Sequence, residues 1–261
     1  MTELPYFHVD AFANRPFSGN QAAIMPLESW LADDVMQAIA EENAFAETAF
    51  TVVFQGDEAD YELRWFTPAL EVALCGHATL AAGHILLGER DAVRFLTRKA
   101  GILEVRREGE GYSLTLPAYP PTAKAMPEIT AMVGGDPTAT LFRDGGYNVL
   151  RYSNAREVLD LAPDYPALAK LGDQQFIATA PGIDTDVLSR VFVPGAAINE
   201  DSVTGAAHAV LTPYWAAELG RPAFSASQAS ARGGLLHCRL DGDKARLGGQ
   251  CVTVVEGKFH L

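Results

Sequence analysis

The sequence predicts an α+β protein of two pseudo-symmetric lobes, each a curled, mostly antiparallel sheet around a central helix. Three observations carry that expectation. Two stretches echo each other: Arg64-Trp65-Phe66-Thr67-Pro68 leads through Glu71 to Cys75-Gly76-His77-Ala78-Thr79, and Arg190-Val191-Phe192-Val193-Pro194 leads through Asn199-Glu200-Asp201 to Ser202-Val203-Thr204-Gly205-Ala206. Arg, Phe and Pro recur 126 positions apart (Arg190 against Arg64), and the same offset sets Cys75 opposite Asp201. Each cluster then opens an apolar, Ala-rich run of helical length. The remaining apolar runs are short and separated by Gly and charged turns, as strands of a curled antiparallel sheet are. A duplicated strand–loop–helix unit implies two similar lobes, with a site expected between them.

The elements follow in order. Residues 4–12 carry Tyr6, Phe7, Val9 and Phe12 in a strand-like run that ends in the turn-rich stretch 13–20. Ser29 is placed to cap a helix reaching about residue 42, with Leu31, Val35, Met36 and Ile39 on one face. Strands are expected at 48–54 and 61–66. Residues 77–87 are apolar almost all round, as in a helix buried on every side, and Gly88 follows as its C′ residue. Strands at 92–97, 101–107 and 112–116 complete a first lobe, residues 1–117, with crossing over of its terminal strands allowed for. Residues 118–144, rich in Pro, Ala, Thr and Gly, are the expected crossover segment, and 145–261 the second lobe. That lobe should hold strands at 147–152, 176–180 and 187–192, a short helix at 165–171, and a second central helix from about Thr204 to about Gly220. Pro213 should kink or split this helix. Short strands at 235–240, 245–247 and 251–255 end the chain.

Composition narrows the function. The 261 residues carry a net charge of −13, an unfavourable surface for nucleic acid or an anionic membrane. Cys75, Cys238 and Cys251 form no C-x-x-C spacing and read as reduced thiols. The first residues lack a basic region followed by an apolar one, and the most apolar stretch, 78–87, is shorter than the about 20 residues a bilayer span needs. A cytoplasmic protein is expected.

Glu47 stands out chemically as the sole charged side chain between Ala44 and Gly56. Apolar surroundings disfavour an ionised carboxylate, which suits a general acid/base. His77, in Cys75-Gly76-His77, lies at a helix start, where free N–H groups and a partial positive charge suit a substrate carboxylate. Asp201, with Thr204 and Gly205, holds the equivalent place in the second half. His77 and His84 lie seven apart without a third ligand in the sequence pattern, so no metal site is expected. Neither a P-loop nor a dinucleotide-binding G-x-G-x-x-G is present, and no cofactor is expected.

Further motifs run through nearly the whole chain: Val9-Asp10-Ala11-Phe12, Pro16-Phe17-Ser18-Gly19-Asn20, Ala46-Glu47-Thr48-Ala49-Phe50, Pro213-Tyr214-Trp215, Gln228-Ala229-Ser230-Ala231-Arg232-Gly233-Gly234 and Gly248-Gly249-Gln250-Cys251-Val252. With the two echoing stretches, they resemble the phenazine-biosynthesis PhzF-like isomerase family, whose fold is shared with diaminopimelate epimerase and proline racemase. The resemblance implies two diaminopimelate epimerase-like lobes with a cleft between them, a homodimer, and cofactor-free proton transfer on a small carboxylate. In the family's characterised reaction a hydrogen moves around a dihydro-hydroxyanthranilate ring. It implies Glu47 as principal acid/base, His77 and Asp201 flanking the substrate, and Asn20, Gly76, Gly205 and Ala206 in binding it. The chain departs from the family pattern at Gln21 (commonly Pro), Ala46 (commonly Ser), Ser202 (commonly Pro) and Ala206 (commonly Ser). Two lost hydroxyls imply a different or less polar substrate, or weakened activity. Two other readings remain open: a two-base epimerase or racemase using Cys75 and Asp201, and a non-catalytic metabolite-binding protein.

Overall fold

The computed structural model describes residues 2–196 and 198–261. It divides into two units, Met1–Thr115 with Gly248–Leu261, and Leu116–Leu247. Both are α+β, and both repeat one succession of strand pairings. In the first unit, strand Glu3–Ala11 pairs antiparallel with Asn20–Leu27, which pairs parallel with Glu47–Val53. That strand pairs antiparallel with Tyr61–Phe66, then come a parallel step to Ala92–Thr97 and an antiparallel one to Ile102–Glu108. In the second unit the same antiparallel–parallel alternation links Ala139–Arg143, Tyr147–Arg151, Gln175–Pro181, Val187–Phe192, Ala223–Gln228 and Gly234–Asp241.

The parallel steps explain the helices. A parallel pair needs a crossover of a dozen or more residues, usually helical. The second parallel step of each unit is bridged by its most apolar helix, Gly76–Leu86 in the first and Gly205–Leu219 in the second. Residues His77 to Gly83 are all buried, so the first helix fills the inside of its curled sheet. Gly83 lets it approach Ile102–Glu108: a Cβ there would lie 2.4 Å from Val105 Cγ1. The first parallel step is bridged by helix Asp33–Asn43, whose Met36, Ile39 and Ala40 pack with Leu4, Met25 and Phe50. Its counterparts in the second unit are the short helices Ala155–Leu159 and Tyr165–Ala169, packed with Tyr152, Phe176 and Phe192.

Four local expectations change. Residues 20–27 form a strand that the sequence reading leaves in turn and loop, because Ala, Met and Pro26 give little strand signal. Pro26 lies past the register shared with the first strand, so that partner is not denied an N–H. The first helix starts at Asp33 with Ala32 as N-cap, not from a Ser29 cap, and Asp33 and Asp34 supply the acidic first turn. The segment 118–144 holds strands Thr122–Ala123 and Ala139–Arg143 and helix Pro127–Val133, all within the second unit. Finally, Gly205–Leu219 runs unbroken through Pro213. Proline removes the N–H that would bond the carbonyl of Ala209, and the Tyr119 N–H donates to that carbonyl instead at 3.1 Å. No helix among the described residues is long and apolar enough to cross a membrane.

Candidate active site

In each unit the loop before the apolar helix is pinned by the repeated Arg. Arg64 is buried, donates from Nε and Nη2 to both carboxylate oxygens of Glu71 at 2.8 and 2.9 Å, and reaches Asp33 at 2.8 Å. Its guanidinium lies 5.0 Å from the Phe66 ring, two residues on along the same strand face. Arg190 makes the matching fork to Glu200 at 2.8 and 3.0 Å and lies 4.8 Å from the Phe192 ring. These bidentate pairs fix where the following polar cluster begins. The Arg-x-Phe echo is therefore the anchor of the site and not its chemistry.

The cluster of the first unit gathers on three elements. Glu47 opens its strand opposite Ala22 in parallel register, and His77 opens the apolar helix one residue after Gly76. His77 Nε2 lies 3.2 Å from the Gln21 carbonyl and 3.1 Å from Glu47 Oε2. A single N–H serves one acceptor well, and the geometry favours Gln21. Glu47 Oε2 is thus buried and beside the imidazole, yet without a hydrogen-bond donor in line. The Glu47 side chain as a whole stays 17% exposed. Its surroundings are accordingly less apolar than its sequence neighbours imply. On the other side of the ring, Nδ1 meets Asn20 Nδ2 at 3.3 Å and Cys75 Sγ at 3.5 Å.

The electrostatics follow from burial and from these contacts. Burial, and then the Glu47 charge, push the Cys75 thiol up to about 11. Burial alone would press His77 toward neutrality, but the Glu47 carboxylate beside Nε2 opposes it and the imidazole pKa is held above its ordinary value. Asn20 Nδ2 and Cys75 Sγ share Nδ1, so the proton on that nitrogen sets which of them donates to the ring and which accepts from it. Glu47, Cys75 and His77 also offer donor atoms within 4.8 Å of one another, a carboxylate–thiol–imidazole set of the kind that binds zinc. Sequence spacing hides this set, because Glu47 lies 30 residues from His77 (47 against 77).

In the second unit, Asp201 Oδ1 accepts from Ser202 N at 2.8 Å and Oδ2 from the Thr204 hydroxyl at 2.6 Å. Thr204 holds the N-cap place of helix Gly205–Leu219 without a side-chain cap, its hydroxyl being turned to Asp201. Asp201 is therefore not the N-cap. Gly205 and Ala206 are the first two helical residues, as Gly76 and His77 are in the other unit. The structure thus brings Glu47, His77, Asn20, Gly76 and Cys75 together in one unit, and Asp201, Gly205 and Ala206 together in the other. Sequence reasoning gave no role to Gln228 and missed the Gln21 carbonyl. No local signal marks a main-chain acceptor, and a lone Gln at a strand end is unremarkable.

Comparison with known proteins supplies the family. Residues 9–257 match the PhzC-PhzF model, described as phenazine biosynthesis-like protein. An uncharacterised isomerase of Pseudomonas aeruginosa is 43% identical, with 99% of this chain and 100% of that protein covered. Phenazine biosynthesis-like domain-containing protein 2 of Mus musculus is 36% identical, with 98% of each covered. A solved phenazine biosynthesis protein of the PhzF family from Enterococcus faecalis superposes with a TM-score of 0.92 at 38% identity over 100% of both chains. A hydroxyproline epimerase from Agrobacterium vitis shares the fold alone, with a TM-score of 0.60 at 14% identity over 99% of this chain and 91% of its own. On a match that spans nearly its whole length, the chain belongs to the PhzC-PhzF family of phenazine biosynthesis-like proteins.

Proposed function

We propose that this protein is a cofactor-independent isomerase that moves a proton on a small carboxylate-bearing metabolite, cyclic or amino-acid-like, with Glu47 as general acid/base. One observation carries the reading: Glu47 is held with Oε2 3.1 Å from His77 Nε2 while its side chain stays 17% exposed, a fixed carboxylate that a substrate proton can still reach. Glu47 takes a proton from one C–H bond while the electron pair stays on the substrate. The protonated carboxyl then returns the proton to another carbon, so the reaction needs no oxidant or reductant. His77, its Nε2 3.1 Å from Glu47 Oε2, keeps the carboxylate in place between transfers. Asn20 orients His77, and the helix starts, at Gly76 in one unit and at Gly205 and Ala206 in the other, each offer N–H groups and a partial positive charge suited to an anion. Asp201 is assigned the second proton-handling position because it matches Cys75 in the repeat. The relatives named as isomerases support the reaction class.

A mechanism with Cys75 as a base is less well supported, since a buried thiol pushed up to about 11 is almost wholly protonated at neutral pH. The family resemblance also carries the expectation of a cytoplasmic homodimer. NMR in D2O tests the proposal on dihydro-hydroxyanthranilate and a panel of cyclic and amino-acid carboxylates. Deuterium should enter a C–H position with the wild type, and Glu47→Gln should abolish that exchange while keeping the fold. A fully active Glu47→Gln enzyme would overturn the role of Glu47, and exchange with no compound would favour a binding protein.

A further inference from the structure

We infer that Gln228 is a positioning residue that aims the Thr204 hydroxyl at Asp201; this rests on the reading of Asp201 as part of the catalytic set. Gln228 is 1% exposed at the end of strand Ala223–Gln228. Its Oε1 accepts from the Thr204 N–H at 2.9 Å. Its Nε2 donates to the Asp201 carbonyl at 2.9 Å and to Thr204 Oγ1 at 3.1 Å. These partners fix the amide orientation, because a backbone N–H must meet the oxygen and a backbone carbonyl the nitrogen.

The consequence lies in the third bond. A hydroxyl that receives an N–H on its lone pair must send its own hydrogen elsewhere, and Asp201 Oδ2 stands 2.6 Å away. The order Gln228 Nε2–H to Thr204 Oγ1–H to Asp201 Oδ2 therefore runs in one direction, each donor strengthening the next. Without Gln228 the Thr204 hydroxyl can rotate to other acceptors and the Asp201 carboxylate loses a fixed partner. The same amide holds both ends of the turn, Asp201 by its carbonyl and Thr204 by its N–H, as the helix begins at Gly205. A buried Gln that spends every hydrogen-bonding group on one four-residue turn is built to hold that turn.

A double-mutant cycle decides the matter, with Gln228→Met, which keeps side-chain length without polarity, Thr204→Val, and the pair together. The carboxyl 13C shift of Asp201, assigned with Asp201→Asn, reports the hydrogen bond without turnover. Deuterium exchange into the substrate reports kcat and KM. Each single variant should shift the Asp201 carboxyl signal and lower kcat about tenfold at nearly unchanged KM, the scale of one hydrogen bond to a charged group. The double variant should be no worse than Thr204→Val, because both act on one chain. Gln228→Glu, which keeps the acceptor for Thr204 N–H and loses the donors, should behave as Gln228→Met. Additive losses, or an unmoved Asp201 signal in a folded Gln228→Met protein, would overturn the inference. A moved signal with exchange indifferent to Asp201→Asn would instead sustain the positioning geometry and overturn the catalytic role of Asp201.

Discussion

Cys75 is where residue-level physics separates two chemistries. Its helix-start position favours a thiolate, but burial and the Glu47 charge prevail and push the thiol up to about 11. Against a free cysteine near 8.5, the thiolate fraction at neutral pH falls by roughly a hundredfold or more. Iodoacetamide should therefore modify Cys75 at least that much more slowly than a free thiol, and Cys75→Ser should keep proton exchange within about threefold of wild type. Rapid, selective alkylation together with an inactive Cys75→Ser enzyme would restore the two-base mechanism. Arg64 answers a different question. Its hydrogen bonds to Glu71 hold that carboxyl below the ordinary range against the opposing effect of burial. A depressed folded value means stability that is fully present above the unfolded value near 4.3 and lost as pH falls through the lower folded one. Arg64→Met should thus cost about 3 kcal/mol at pH 7 in urea unfolding, and the gap to wild type should narrow below pH 4. A gap that stays constant from pH 7 to pH 3 would show the loss to be packing alone.

At the scale of elements, the second central helix carries a buried histidine in its first turn. His208 Nδ1 donates to the Thr204 carbonyl at 2.9 Å, and Nε2 faces Ser189 Oγ at 3.5 Å, an arrangement for a neutral ring. Burial presses its pKa down to about 4. Between the unfolded value near 6.5 and about 4, the unfolded chain takes a proton that the folded chain refuses, so stability falls with falling pH. The full effect is about 3 kcal/mol. His208→Asn should lower stability at neutral pH but flatten its slope between pH 6.5 and pH 4 by about one proton; an unchanged slope would mean that His208 is charged in the fold. Legibility differs among these elements for physical reasons. The two apolar helices were plain because burial on all sides leaves no polar stripe, and Glu47 was plain because it is the only charge in its segment. The strand 20–27 was not, since Ala and Met carry little strand preference and its two neighbours supply the register. The continuity of the helix through Pro213 was not legible either, because the N–H that compensates belongs to Tyr119, far away in sequence.

For the whole molecule, the 126-residue echo of Arg, Phe and Pro foreshadows a deeper repeat, the shared alternation of antiparallel and parallel pairings. What the echo does not disclose is how the chain ends. Strand Cys251–His260 pairs antiparallel with Glu3–Ala11 over the whole length of the latter, from Glu3 opposite His260 to Ala11 opposite Cys251. Pairing of this kind depends on residues some 250 positions apart, which no local pattern encodes. The first unit is consequently discontinuous, with Leu116–Leu247 inserted between its parts. Removing residues 251–261 would strip the first strand of one of its two neighbours and leave its backbone groups on that side unpaired. Because that strand also borders Asn20 and Gln21, which contact His77, the loss should reach the candidate site. The truncated chain should lose about 3–5 kcal/mol of a total near 5–15, with amide exchange accelerated first in residues 3–11 and 20–24 while 175–192 stay protected. Uniform acceleration through both units would show that they unfold as one cooperative body, and unchanged protection of residues 3–11 would show that the closing strand adds nothing to the first unit.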